Sequence, residues 1–570
     1  MTAVSRRPIG QTAPNLCLAE MRHNLAYWGP ELYIGTDGYR SVWAGPQQAM
    51  LVLGPPRSGK TSSLVVPNVL AAPGPVVVTS TKPDVLRATM VSRSELGRCW
   101  LFDPAGALEA LPGTTLLRWS PVTSARSWDE ALVTARVMTT AARPNAYAGE
   151  GAHWAERAEA LLAPLLHAAA LAGTDMRRVV SWVLRHDLHT PAGLLARAAQ
   201  AGARTGAALD VLAGIDATEE REQSGIFSTA SGTLAAYHSE LAMDLAENPN
   251  FDPAFFPGSA DTVYVCSPAR HQQLVAPIVV AFLEQIRAAT YKCAAEGNLR
   301  VPVTFVLDEV ANVAPLPDLP AMVSEGGGQG LLILACLQDL SQARIRWGRA
   351  AEGFFSLFGT KVLFPGVGDL PTLETVSRLA GQMDQVVRSV STSAWWSRHP
   401  STNTTYSSRR QARLPADQVH SLPAGTALLI AGANHPRLVA LRRWWENPPF
   451  CEAAGLARAL PGLGATPPGA TPVMPTVPRP PAGPSLATAP APAGQSVAAR
   501  PVALARTVPP RLAQPPPPIP PPPPPVLRQR PKDATSTGPP AQDRSRGPAE
   551  GVVWRRVPGL RRMHPPPPQL

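Results

Sequence analysis

Short, wholly apolar runs recur along this chain, each cut off by a turn or a polar residue. Leu51-Val52-Leu53, Val76-Val77-Val78-Thr79 and Trp100-Leu101-Phe102 come first. Runs this short, without polar alternation, predict strands buried on both faces, as in a parallel sheet covered by helices. The stretches between them have helical length, and Pro73-Gly74 closes the first. Tyr33-Ile34-Gly35 offers a strand or sheet edge within a mixed opening segment, 1–48.

The pattern changes between about 129 and 248. Ala and Leu recur at helical spacing through 154–162, 194–212 and 226–245, with no strand between them. This predicts an all-α insertion at 129–248 that splits an α/β domain into 49–128 and 249–450. His153 and Trp154 inside it suit packing and capping better than ligation. Apolar runs resume at 261–266, 303–307, 330–338 and 359–364, and a β segment at 426–431 and 437–441 closes the body. Strands alternating with helices give an α/β class with a doubly wound, mainly parallel sheet. The glycine cluster Gly326-Gly327-Gly328-Gln329-Gly330 precedes a strand, so it predicts a tight turn, not a phosphate loop.

Composition marks off the last segment, 451–570. Of the chain's 66 prolines, 33 fall from Ala453 onward, including 515–518 and 520–525. Such a stretch cannot bury enough apolar surface to offset its ordering entropy, which predicts a disordered Pro/Arg-rich tail with polyproline-II stretches. Charge is equally uneven. From Ala453 onward 14 Lys and Arg face three acids, a net of +11, so the first 452 residues sum to zero against the chain's +11. A nucleic-acid patch on the folded body must therefore be local. The tail reads equally as a proline-rich ligand with a polycation or as drift in a GC-rich genome. That drift is visible in lysine, which survives only at Lys60, Lys82, Lys292, Lys361 and Lys532.

The chemistry begins where the first strand ends. Gly54-Pro55-Pro56-Arg57-Ser58-Gly59-Lys60-Thr61 is G-x-x-x-x-G-K-T between a strand and a helix start, the setting a P-loop needs. It predicts a nucleoside triphosphate site. Glycines let backbone N–H groups face phosphate oxygens, Lys60 reaches the β/γ-phosphates, and the Thr61 hydroxyl holds Mg²⁺. The run 303–307 ends in Asp308-Glu309, a pair suited to holding Mg²⁺ (Asp308) and activating water (Glu309). Gln338, at the end of a later strand, is either a γ-phosphate sensor or a polar strand terminus. Trp395-Trp396 and Trp444-Trp445 could stack on bases, though core packing or partner contacts explain each as well.

Six scattered cysteines, with no C-x-x-C, predict buried reduced thiols in a cytosolic protein. The first eleven residues lack the apolar core of a signal peptide. No run approaches the roughly 18 apolar residues of a membrane span; 158–171, the best candidate, is broken by Glu159, Pro164 and His167. A soluble body is expected.

Over about 45–447 the chain resembles the coupling-protein ATPase family of conjugative type IV secretion, the TraG/TraD type. The resemblance rests on Asp308-Glu309-Val310-Ala311-Asn312 with Pro317-Asp318, on Leu337-Gln338-Asp339-Leu340-Ser341-Gln342 with Trp347-Gly348, and on Gly359-Thr360-Lys361-Val362 with Pro365-Gly366. Pro415-Ala416-Asp417 and Leu422-Pro423-Ala424-Gly425 extend it. The family implies a RecA-like motor core with a helical insertion and an ATP-driven hexamer. It also implies ATP and Mg²⁺ as cofactors, with DNA, single-stranded or relaxase-linked, and the secretion machinery as partners. The expected place is cytoplasmic or peripheral at the inner face of the cell membrane, reached through partners.

Three departures stand out. Members usually carry N-terminal membrane helices, and the 53 residues before Gly54 contain no span. The family's acidic D-x-K-G-E element is replaced by Ser80-Thr81-Lys82-Pro83-Asp84. Its arginine, 19 or 21 residues after the strand-end Asp, is replaced by Gly327 and Gln329, so that its role is either lost or moved to Arg344, Arg346 or Arg349. Rival readings are a septal or segregational DNA pump of the same superfamily and a slow-hydrolysing adaptor that recruits partners through its proline-rich tail.

Overall fold

The computed structural model describes residues 17–458, apart from 39, 110, 144–150, 393–395 and 397–401. The expected disordered tail and Trp395 therefore lie largely or wholly outside the described residues. The chain forms β1 (Tyr33–Asp37), β2 (Arg40–Trp43), β3 (Met50–Leu53), β4 (Val76–Ser80), β5 (Cys99–Phe102) and β6 (Thr115–Leu116), and then a long helical stretch. After it come β7 (Thr262–Cys266), β8 (Val303–Leu307), β9 (Leu331–Leu337), β10 (Thr360–Leu363), β11 (Gln382–Thr392), β12 (Thr402–Ala412), β13 (Thr426–Ala431) and β14 (Arg437–Ala440).

Twelve of these strands join one sheet in the order β2-β1-β14-β13-β10-β3-β9-β8-β4-β7-β5-β6. From β10 to β6 every pairing is parallel. The strands from β13 to β2 pair antiparallel and extend one edge. Short links within β1–β2 and β13–β14 suit this, because a tight hairpin can join antiparallel strands whereas parallel strands need a crossover.

Side-chain alternation sorts the strands' residues into two cores on opposite faces. Leu51, Leu53, Val77, Ile333 and Ala335 join the core that holds the insertion helices. Met50, Val52, Val76, Val78, Leu334 and Cys336 join the core under the helix that follows Lys60. Because both faces are covered, the strands read as unbroken apolar runs.

Between β6 and β7 the described residues hold helices and no strand: Trp128–Ala142, Gly151–Ala172, Met176–Leu184, His189–Gln200, Gly206–Asp216, Glu220–Thr233 and Glu240–Ala246. His153 pairs with Glu222 at 3.3 Å, and Trp154 lies against Gly225, where a Cβ would meet its ring at 2.4 Å.

Four findings depart from the sequence expectations. Among the described residues the helix Gln272–Ala295, not 158–171, is the one long and apolar enough to span a membrane. Its mean hydropathy is 1.3, but 72% of that window is buried within the protein, as for a core helix. The last described helix, Pro448–Arg458, carries the body past 450, with Phe450 and Ala454 in the core. Of the six free cysteines only Cys99, Cys266 and Cys336 are buried, and Cys17 is exposed. The ribbon β11–β12 is a separate two-stranded sheet that no apolar pattern announced.

Candidate nucleotide site at the carboxyl ends of the parallel strands

In open α/β sheets ligands bind beyond the carboxyl ends of the strands. At that end of β3 the chain turns through Gly54–Thr61 into a single π-helical turn, Thr61–Val65, and then the helix Val66–Ala71. Such π turns recur at functional sites. Arg57 and Gly59 both take positive φ (62° and 101°), so the loop curls back and turns its N–H groups inward. Gly54 has no room for a side chain: a Cβ would lie 2.8 Å from Phe364 Cβ and from Ser58 Oγ.

A cleft of about 700 Å³ opens over this loop. Pro56, Arg57, Ser58, Gly59, Lys60 and Thr61 form its floor, and Asp308 and Glu309 form one wall. The Lys60 ammonium is buried and donates to the carbonyls of Gly54 (2.6 Å) and Pro55 (3.2 Å). Among the described residues it has no ion pair. Ser58 Oγ is buried without a hydrogen-bond partner. A buried cation held by carbonyls and a buried hydroxyl without a partner among the described residues, both in the loop under the cleft, fit a polyphosphate.

The predicted acids arrive where expected. The Thr61 hydroxyl donates to Asp308 Oδ2 at 2.7 Å, joining residues 247 positions apart. The Thr79 hydroxyl donates to the Asp308 carbonyl at 2.8 Å and fixes β8 against β4. Burial pushes the Asp308 carboxyl up to about 6; the Thr61 hydroxyl and Lys60 oppose that rise, and Glu309 adds to it. A divalent cation beside Thr61 and Asp308 would offset this cost, so the donor set suits Mg²⁺. Glu309 sits at φ 53°, ψ 46°, a left-handed conformation rare outside glycine that marks a constrained position. Asn312 Nδ2 donates to the Glu309 carboxylate at 3.2 Å. That contact explains the spacing in Asp308-Glu309-Val310-Ala311-Asn312: one short helical turn brings the amide back to the acid.

Gln338 directly follows β9, the strand between β3 and β8, so it stands between the loop and the acids. It does not line the cleft, and its N–H donates to Gln342 Oε1 at 2.9 Å. Of the surviving lysines, Lys82 lines the cleft with Ser80, Thr81 and Asp84, whereas Lys361 lies mid-strand on β10.

The sequence did not reveal the opposite wall, Arg443, Trp444 and Trp445. The chain leaves β14 and crosses to the cleft on its way to the final helix. Trp444 is buried, Trp445 is half-buried, and Arg443 lies 5.4 Å from the Trp445 ring centre. A Trp pair just past a strand end was the only signal.

Of the two positions where the family places its arginine, Gly327 is closed off. A Cβ at Gly327 would lie 2.1 Å from the Gln47 carbonyl. Among the substitutes, Arg344 is bound to Asp369 at 2.7 Å and Arg349 is exposed. Arg346 is half-buried with no ion-pair partner among the described residues, and burial lowers it to about 10.

The model of the family described as type IV secretory system conjugative DNA transfer matches residues 20–460. The chain belongs to that family. No curated protein matches it. Among solved structures it is similar to the bacterial conjugative coupling protein TrwBdeltaN70 in an unbound form (16% identity, 77% of this chain and 95% of that one, TM-score 0.55). It is likewise similar to the plasmid coupling protein TrwB with ADP and Mg²⁺ (16%, 77% and 96%, TM-score 0.54). The form with a non-hydrolysable ATP analogue compares at 15% identity, 78% and 96% coverage and TM-score 0.53. The shared fold is the RecA-like α/β core, and this family member works in conjugative DNA transfer.

Proposed function

We propose that the chain is the ATP-hydrolysing coupling protein of a conjugative type IV secretion system, moving DNA or a protein-linked strand toward the secretion channel. The observation that carries this is the 2.7 Å contact from Thr61 to Asp308, which joins the P-loop to the acidic strand end as a hydrolytic site requires. Support comes from solved TrwB structures that hold ADP with Mg²⁺ or an ATP analogue.

In this reading Gly54–Thr61 binds the phosphates and Lys60 neutralises their charge. Thr61 and Asp308 hold Mg²⁺, which when bound draws charge from the terminal phosphate oxygens. Glu309, positioned by Asn312, orients water and takes up its proton. Gln338, outside the cleft in this structure, acts as a sensor only if nucleotide binding brings it to the terminal phosphate, and is otherwise a polar strand terminus. Trp445 offers the base an aromatic face, and stacking of this kind tolerates any base. Copies assemble as a ring, a hexamer by resemblance, in which Arg346 of one copy completes the next copy's site. The protein works at the inner face of the cell membrane through partners.

The test is ATP turnover of the full chain with and without single-stranded and duplex DNA. Turnover that rises several-fold with DNA supports a motor. Tight ATP binding with negligible turnover under all conditions supports the adaptor reading, which the closed Gly327 position favours.

A further inference from the structure

We propose that the β11–β12 ribbon is a nucleic-acid-binding arm. The proposal rests on reading the chain as a DNA-handling motor and names the surface that touches the DNA. The two strands pair without a break from Gln382↔Ala412 to Thr392↔Thr402. At about 3.4 Å per residue they reach on the order of 35 Å. At the root the ladder runs one rung further, where Arg413 N–H donates to the Gly381 carbonyl (2.9 Å). Beyond it nearly every described residue of both strands is exposed. A two-stranded ribbon with no second layer is marginal in water, so this one calls for a partner.

Its chemistry selects the partner. Of the 22 strand residues, 13 are neutral hydrogen-bonding types (Ser, Thr, Asn, Gln and Tyr), three are arginines and one is an acid. Arginines and hydroxyl or amide side chains are the donor set that contacts phosphate oxygens. Asp384 lies near the root and, among the described residues, pairs only with Arg410, at 3.8 Å. Arg388 and Arg409 have no ion-pair partner among the described residues. The register sets Arg388 directly opposite Tyr406, a cation and an exposed ring on one face. The first 452 residues carry no net charge, so a net positive ribbon supplies the local patch that a DNA-binding body requires. A two-stranded ribbon fits the major groove, and an exposed tyrosine can stack on unpaired bases.

A protein partner fits less well. Period-two alternation splits the exposed apolar side chains, placing Met383 and Val387 on one face and Val386, Val390 and Tyr406 on the other, where Arg388 stands among them. Neither face offers the contiguous apolar centre of a protein interface.

The experiment uses the full chain, a 40-nucleotide single strand and its duplex, over a range of salt. Compared with wild type are the double variant Arg388→Ala/Arg409→Ala and the single variant Tyr406→Ala. All three residues are exposed, and ATP binding serves as the check on folding. If the ribbon contacts DNA, the double variant shows a log–log salt slope shallower by about 1–2. It also needs at least about fivefold more DNA for half-maximal stimulation of ATP turnover, and Tyr406→Ala weakens the single strand more than the duplex. Unchanged slope and unchanged half-maximal DNA, with wild-type stimulation intact, overturn the ribbon assignment alone. Loss of self-association with DNA affinity unchanged overturns it in favour of a contact between copies. A wild-type chain that neither binds DNA nor responds to it sinks the motor reading and the ribbon with it.

Discussion

Lys60 and Glu309 divide the work of the site, and they should fail differently. Lys60 is a buried ammonium that donates to the Gly54 and Pro55 carbonyls. Lys60→Ala removes a charge-assisted contact of about 1.5–3 kcal/mol and should weaken ATP binding roughly 10–100-fold. Glu309→Gln keeps the shape but loses the proton acceptor, so ATP should stay bound while turnover falls about 10²–10⁴-fold. Asn312→Ala should lower turnover less and leave ATP affinity unchanged, because it only positions the acid. Equilibrium binding and single-turnover hydrolysis separate the three; wild-type turnover in Glu309→Gln would remove the assignment of the strand-end acids. On the far wall, Trp445→Ala should weaken ATP and GTP alike, by the roughly 1–3 kcal/mol of a base–aromatic stack. Inorganic tripolyphosphate, which has no base, should bind both proteins equally, and Trp445→Phe should recover most of the loss. Equal weakening of tripolyphosphate would show that Trp445 acts through the shape of the loop instead.

At the scale of elements, the helix Leu340–Trp347 decides where charge can be delivered. Asp339 caps it beside Gln338, accepting the Ser341 and Gln342 N–H groups at 2.9 and 3.3 Å. Six residues at ~1.5 Å each put Arg346 about 9 Å along the helix from that strand end. Trp347 pins the far end by donating to the Leu316 carbonyl (2.7 Å). A rigid helix leading away from its own nucleotide suits a residue that serves the neighbour's. Arg346→Ala should keep ATP binding and lose turnover, toward the 10³-fold or more that such arginines contribute in related phosphoryl transfer. Adding the variant to wild-type protein should depress the mixture's turnover below the weighted mean if the arginine acts across a subunit boundary. Arg344→Ala is expected to act on stability instead, because Arg344 is bound to Asp369, whose carboxylate caps the helix Leu370–Ala380. Turnover intact in Arg346→Ala would move the search to Arg349.

For the whole molecule, charge separates a neutral body from a basic tail. Residues 459–570 hold 13 basic residues against three acids, +10 of the chain's +11. The cut that tests the tail belongs after Arg458, because a cut inside Pro448–Arg458 would remove part of a helix whose Phe450 and Ala454 are buried. The shortened chain should keep its melting temperature and its DNA-stimulated turnover at saturating DNA. It should bind duplex more weakly at low salt, with a shallower salt slope. An identical slope would leave the tail a polyproline ligand or drift.

The chain by itself determined what depends on local order. A strand, a glycine loop and a helix start in sequence make a phosphate cradle, so Gly54–Thr61 was legible from spacing alone. Buried parallel strands must be apolar on both faces, so the core strands and the helical gap between them were legible too. What the sequence could not rank, only the tertiary structure decided, because the partners lie far apart in the chain. Thr61 meets Asp308 only through sheet order, and Arg443, Trp444 and Trp445 reach the cleft only because the chain crosses from β14. Asp369 claims Arg344 from 25 positions away and leaves Arg346 without a partner. The β11–β12 ribbon escaped for the opposite reason. It buries neither face, so no apolar period was needed to build it, and only its pairing shows that it exists.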